Sequence, residues 1–86
     1  MYKKALIAAW VSLTLGPDRS CADVVPTLRA LPEVRLCHSL SGPVDILVLI
    51  EAASLGRLSE VRERIAALPA VTGATTAPVL ADHKLG

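Results

Sequence analysis

Leu28-Arg29-Ala30-Leu31-Pro32-Glu33-Val34 is echoed by Ile65-Ala66-Ala67-Leu68-Pro69-Ala70-Val71. In each copy an apolar, helix-like run reaches Leu-Pro, and a valine then opens a new segment. Proline cannot continue a helix and β-branched valine favours a strand, so each copy marks a passage from helix to strand. The chain therefore reads as two similar halves.

Working outward from the first copy, Ile7, Ala9, Val11, Leu13 and Leu15 alternate with Ala8, Trp10, Ser12 and Thr14, a period of two that predicts a strand closed by Gly16-Pro17. Cys21, Val24, Val25, Leu28 and Leu31 then fall at helical spacing, with Ser20 and Asp23 in capping-box positions. Pro26 conflicts with a continuous helix, at a cost of about 3 kcal/mol, so the reading predicts a kink there or a helix that begins near Asp23. Val34 to Ser41 reads as a second strand, with Val34, Leu36, His38 and Leu40 on one face, ended by Gly42-Pro43.

The second half repeats the order. Val44 to Glu51 is apolar on both faces at its centre, which places this strand inside a sheet. Ser54 is the expected N-cap of a helix with Leu55, Leu58, Val61, Ile65 and Leu68 on one stripe. Arg57, Glu60, Glu63 and Arg64 take the solvated side, with Glu60 and Arg64 at i,i+4 spacing, and Pro69 stops the helix. The last strand, roughly Thr72 to Asp82, contains Gly73 and Pro78, and a proline in a ladder belongs at an edge. The order β-α-β-β-α-β predicts an α+β, ferredoxin-like fold: a four-stranded antiparallel sheet with both helices on one face.

Length and composition agree with one small domain over residues 1–86. The chain has 86 residues and is 52% apolar with only 2% aromatic, so its core must be aliphatic. That profile excludes disorder. Nine basic against eight acidic residues, with no basic run interleaved by aromatics, argue against direct nucleic-acid binding. No apolar run is long enough to span a membrane. Lys3 and Lys4 before an apolar segment imitate a secretory signal, but the period of two from Ile7 favours a strand, and two cysteines, Cys21 and Cys37, read as reduced thiols of a cytoplasmic protein. Two helices cover one face only, while Leu6 and Trp10 on one strand and Leu47 and Leu49 on another offer apolar surface to the other face. A homodimer joined through its sheets is the expectation.

Nothing in the sequence assembles catalytic machinery, a metal site or a cofactor-binding loop. His38 and Cys37 are adjacent in a strand and point to opposite sides, so they do not share a metal.

The string Pro32-Glu33-Val34-Arg35-Leu36-Cys37-His38-Ser39-Leu40-Ser41-Gly42-Pro43-Val44-Asp45, followed by an apolar strand, a helix, Leu-Pro-x-Val and a last strand containing Thr76, resembles the effector (RAM) domain of the Lrp/AsnC, or feast/famine, transcription regulators. The resemblance runs from Ala5 to about Leu80. It implies a ferredoxin-like domain that dimerises through its sheet in the dimeric α/β-barrel manner, assembles further into octamer-like rings, and binds a free amino acid between subunits. It implies effector contacts at Ser41, Gly42, Pro43, Asp45 and Thr76: backbone N–H groups of the Gly42 turn near the carboxylate, Asp45 accepting from the ammonium, Thr76 adding a hydroxyl. The family normally carries a preceding DNA-binding domain. This chain enters its first strand almost at once, which resembles stand-alone members that would act through a full-length Lrp/AsnC regulator. The alternative from another class is a cofactor-free oxygenase or isomerase of the dimeric α/β-barrel type with His38 as base, and an amino-acid sensor of the ACT type shares the topology.

Overall fold

The strand from Ile7 to Leu15 forms as the alternation predicts and becomes the inner strand that organises the rest. The computed structural model describes residues 6–83 and 85, so Lys3, Lys4 and Ala5 lie outside the described residues. Element order is β1 (Ile7–Leu15), a 3-10 turn (Cys21–Asp23), α1 (Val25–Ala30), β2 (Val34–Ser39), β3 (Ile46–Ala52), α2 (Leu55–Ala66) and β4 (Val71–Pro78). The four strands make one antiparallel sheet in the order β2-β3-β1-β4, with β1 and β3 inside and β4, carrying Pro78, at an edge. This is the ferredoxin-like α+β fold.

Register decides which side chains share a face. Ala9, Val11 and Leu13 stand opposite Ile50, Val48 and Ile46, and all six are fully buried. They pack with Val24 and Leu28 from the first helical segment and Leu58, Val61 and Ile65 from α2 in one aliphatic core. Each fully buried Val, Leu or Ile contributes roughly 1.5–3 kcal/mol through removal of apolar surface from water. The residues between them, Ala8, Trp10 and Ser12 on β1 and Leu47, Leu49 and Glu51 on β3, point to the other side, which no described helix covers.

Of the two outcomes set out for Pro26, the late helix start holds: a 3-10 turn covers Cys21–Asp23 and α1 begins just beyond it at Val25, so Pro26 falls in the first helical turn, where its missing N–H costs nothing. Of the Ser20/Asp23 box, the bond from the Ser20 N–H to Asp23 Oδ2 forms at 2.7 Å. In β2, pairing is irregular between Val34 and Leu36, so Val34 opposes Ile50 on the core face while Leu36 and His38 oppose Leu49 and Leu47 on the open face. An extra residue in a strand inverts the alternation after it. The expected Glu60–Arg64 pair gives way to Arg57, which holds both Glu60 and Glu33.

Element ends also move inward. β2 stops at Ser39, β3 begins at Ile46 and β4 ends at Pro78. The intervening turn bends through Gly42, whose φ of +112° is a conformation few side chains tolerate. No described helix is long and apolar enough to cross a membrane.

Candidate functional site

Ser41, Gly42 and Pro43 form the exposed tip between β2 and β3. Asp45 closes it: its carbonyl accepts the Leu40 N–H at 2.9 Å, and its own N–H donates to Leu13 O at 2.9 Å. The Asp45 carboxylate is turned back into the protomer, where Oδ2 accepts the Leu15 N–H at 2.8 Å. Four of the five candidate residues thus lie on one short turn, with Asp45 half-buried and the others open.

Thr76 lies elsewhere. It stands on β4 opposite Val11 and therefore faces the helix side of the sheet. There its Oγ1 accepts a hydrogen bond from Arg62 Nε at 3.0 Å. The turn sits at the far end of β3, across β1 from β4, so one protomer does not bring Thr76 and Asp45 together. Arg62 is the polar group that the sequence reading did not place beside Thr76. Its signal was available: on α2 it follows Leu58 by four residues and precedes Ile65 by three, at the border of the buried stripe.

Concavities among the described residues include the following two. One, of about 550 Å³, lies on the open face between Leu6, Trp10, Leu49, Glu51 and the segment Val79 to Asp82. The other, of about 400 Å³, lies between α1 and β2 and includes Arg29, Leu36 and Cys37. Neither contains any of the five candidate residues, and His38 lines neither. No group of three or more metal-ligating side chains forms among the described residues.

Titration properties follow local charge. Arg57 grips Glu33 through Nε–Oε2 at 2.8 Å and Nη2–Oε1 at 3.2 Å, and this bond holds the Glu33 carboxyl below its ordinary value of 4.5. Cys37, though exposed as a residue, has its thiol pushed up, by desolvation first and by the nearby Cys21 thiol second. Both cysteines are free.

The fold is shared with known proteins. A family model described as the Lrp/AsnC ligand binding domain matches residues 8–86. No curated protein matches the chain. Among solved structures, the chain is similar to a Thermus thermophilus protein at 24% identity and TM-score 0.80, over 92% of this chain and 99% of that one. It is also similar to a Neisseria meningitidis transcriptional regulator in complex with L-methionine, at 22% identity and TM-score 0.81, over 92% of this chain and 53% of the regulator. A feast or famine regulatory protein from M. tuberculosis complexed with L-methionine matches at 24% identity and TM-score 0.75, again over 92% of this chain and 53% of that one. The chain thus spans about half the length of these regulators and nearly all of the Thermus protein. With one family model spanning residues 8–86, the chain belongs to the Lrp/AsnC ligand-binding domain family.

Proposed function

We propose that this chain is an oligomeric regulatory module that binds a small effector, an amino acid, in a cleft between subunits, and modulates full-length Lrp/AsnC regulators by associating with them. The observation that carries the reading is the bare sheet face. Trp10, Leu36, Leu47 and Leu49 share it, and Leu36 remains 44% exposed. An apolar face of this kind is rarely left wet in a soluble protein. A second copy covers it best, because a self-complementary face pairs with itself about a two-fold axis.

Assembly also answers the separation within one protomer. A zwitterion needs donors for its carboxylate and an acceptor for its ammonium. The Ser41-Gly42-Pro43 turn with Asp45 is at one end of the sheet and Thr76 is in the seam beside α2, so a cleft holding both takes them from different protomers. Family membership and the two L-methionine complexes with this fold support an amino acid as effector. The oxygenase reading would need His38 in a cavity of its own protomer, whereas His38 stands exposed on the edge strand β2, so we read the module as non-catalytic.

Thermal unfolding in the presence of each of the twenty L-amino acids tests the proposal. At least one is expected to raise the midpoint by several degrees at millimolar concentration, as binding to the folded state requires. A flat response across all twenty removes the effector role.

A further inference from the structure

The groove between α1 and β2 holds none of the effector candidates and has a chemistry of its own. It encloses about 400 Å³, within the range of pockets that take small ligands. Register sets its strand wall. Val34, Cys37 and Ser39 oppose Ile50, Val48 and Ile46, three buried core residues, so all three side chains turn to the helix side. From α1 come Val25 in the first turn and Arg29 in the last. The link from α1 to β2 is short, Leu31 to Glu33, so helix and strand run in opposite directions and Arg29 lies toward the Val34 end of the groove.

The charge of this lining has one sign. It carries two guanidiniums, Arg29 and Arg35, and no carboxylate. Arg35 is held by Glu51 at 3.4 Å, whereas Arg29 pairs with no carboxylate among the described residues. Desolvation, and after it the Cys21 thiol, raise the Cys37 thiol, while the charge of Arg29 draws it down. The Arg29 guanidinium therefore stands close to the groove, and the thiol, held above its ordinary value, stays neutral and adds no negative charge. A guanidinium beside an apolar wall attracts an anion that brings apolar surface with it. An ammonium would meet two like charges and no carboxylate. We infer that the α1–β2 groove is a binding site for a small monocarboxylate with an aliphatic body and no ammonium, its carboxylate on Arg29 and its body along Val25 and Val34. This site is separate from the Asp45 turn and does not depend on the amino-acid reading.

The test is titration of the whole chain with hexanoate, hexanamide and L-leucine, followed residue by residue in proton–nitrogen correlation spectra. Hexanoate is expected to move the amides of α1 and β2 saturably, with a Kd of about 1 mM or below, and hexanamide to bind at least about tenfold more weakly, the size of one lost charge-assisted bond. L-leucine leaves these amides in place, whether or not it binds elsewhere. Arg29→Gln is expected to weaken hexanoate about tenfold and hexanamide less than about threefold, and Arg29→Lys to keep most of the preference. Hexanoate that leaves α1 and β2 unmoved, that binds no better than hexanamide, or that keeps its preference in Arg29→Gln overturns the inference, and so does L-leucine binding in this groove as tightly as hexanoate. A failure of the amino-acid reading shows elsewhere, in the thermal response to the twenty amino acids. Should Arg29→Gln not fold, salt on the native chain carries the same comparison: a rise from about 50 to about 500 mM is expected to weaken hexanoate and spare hexanamide, and equal effects on the two overturn the inference.

Discussion

The carboxylate of Asp45 accepts the Leu15 N–H at 2.8 Å across a separation of 30 residues, which makes this side chain a structural tie as well as a candidate ligand group. Leu15 lies beyond the last β1–β3 pair, Leu13 with Ile46, so its N–H on that side needs an acceptor outside the regular ladder. Removing the acceptor leaves a buried or half-buried donor unpaired, at about 1–3 kcal/mol. Asp45→Ala is therefore expected to lower stability by about that amount in urea unfolding, with or without effector, whereas Asp45→Asn keeps an oxygen for the Leu15 N–H and loses far less. Equal losses in the two variants would refute the tie. The pair also separates roles, since Asp45→Asn removes the negative charge proposed for the ammonium while leaving the fold. The sequence marked Asp45 as notable, but only as a functional acid. Its tie to Leu15 is invisible in a linear reading because it depends on where the pairing of β1 with β3 ends.

Among the elements, the strands and α2 were legible from their periods, and the misreadings fall where one residue changes the geometry. Val34 was grouped with Leu36 and His38 because a strand alternates; the irregularity at Arg35 turns Val34 to the core and leaves Leu36 outside. Pro26 was a warning rightly heard, but propensity alone does not say that a 3-10 turn would precede a fresh helix start. The candidate turn at Gly42 was legible, while the partnership of Thr76 with Arg62 was not, because it joins two elements that only the packing of α2 onto β4 brings together. The same holds for Arg57, read as a solvated residue and found joining the first turn of α2 to Glu33 at the entrance to β2. That bond makes a testable pH dependence. Glu33 titrates lower in the folded chain than its ordinary 4.5, so its stabilising effect is fully present above 4.5 and is lost as pH falls through the lower folded value. The urea midpoint of the native chain should decline with acidification through that window. Glu33→Gln should start lower at neutral pH and decline less steeply, and identical slopes would show that the bond contributes nothing.

For the whole molecule, the open sheet face is the surface whose cover decides the assembly. Leu49 offers the sharpest test of what covers that face. It stands at mid-strand opposite Trp10 and beside Leu36. If the face were wet, lysine at this position would extend into solvent and change stability by no more than about 0.5 kcal/mol. If a second copy covers it, lysine brings a charge into the apolar centre of an interface, and again by symmetry from the partner. The native chain is therefore expected to sediment at tens of micromolar as a multiple of 9.0 kDa, and Leu49→Lys as the 9.0 kDa protomer, with its far-ultraviolet dichroism kept and its melting temperature lowered. A native chain that sediments as a single protomer, and a Leu49→Lys variant that melts with it, would mean that the open face is simply a surface and that the effector cleft must be sought within one chain.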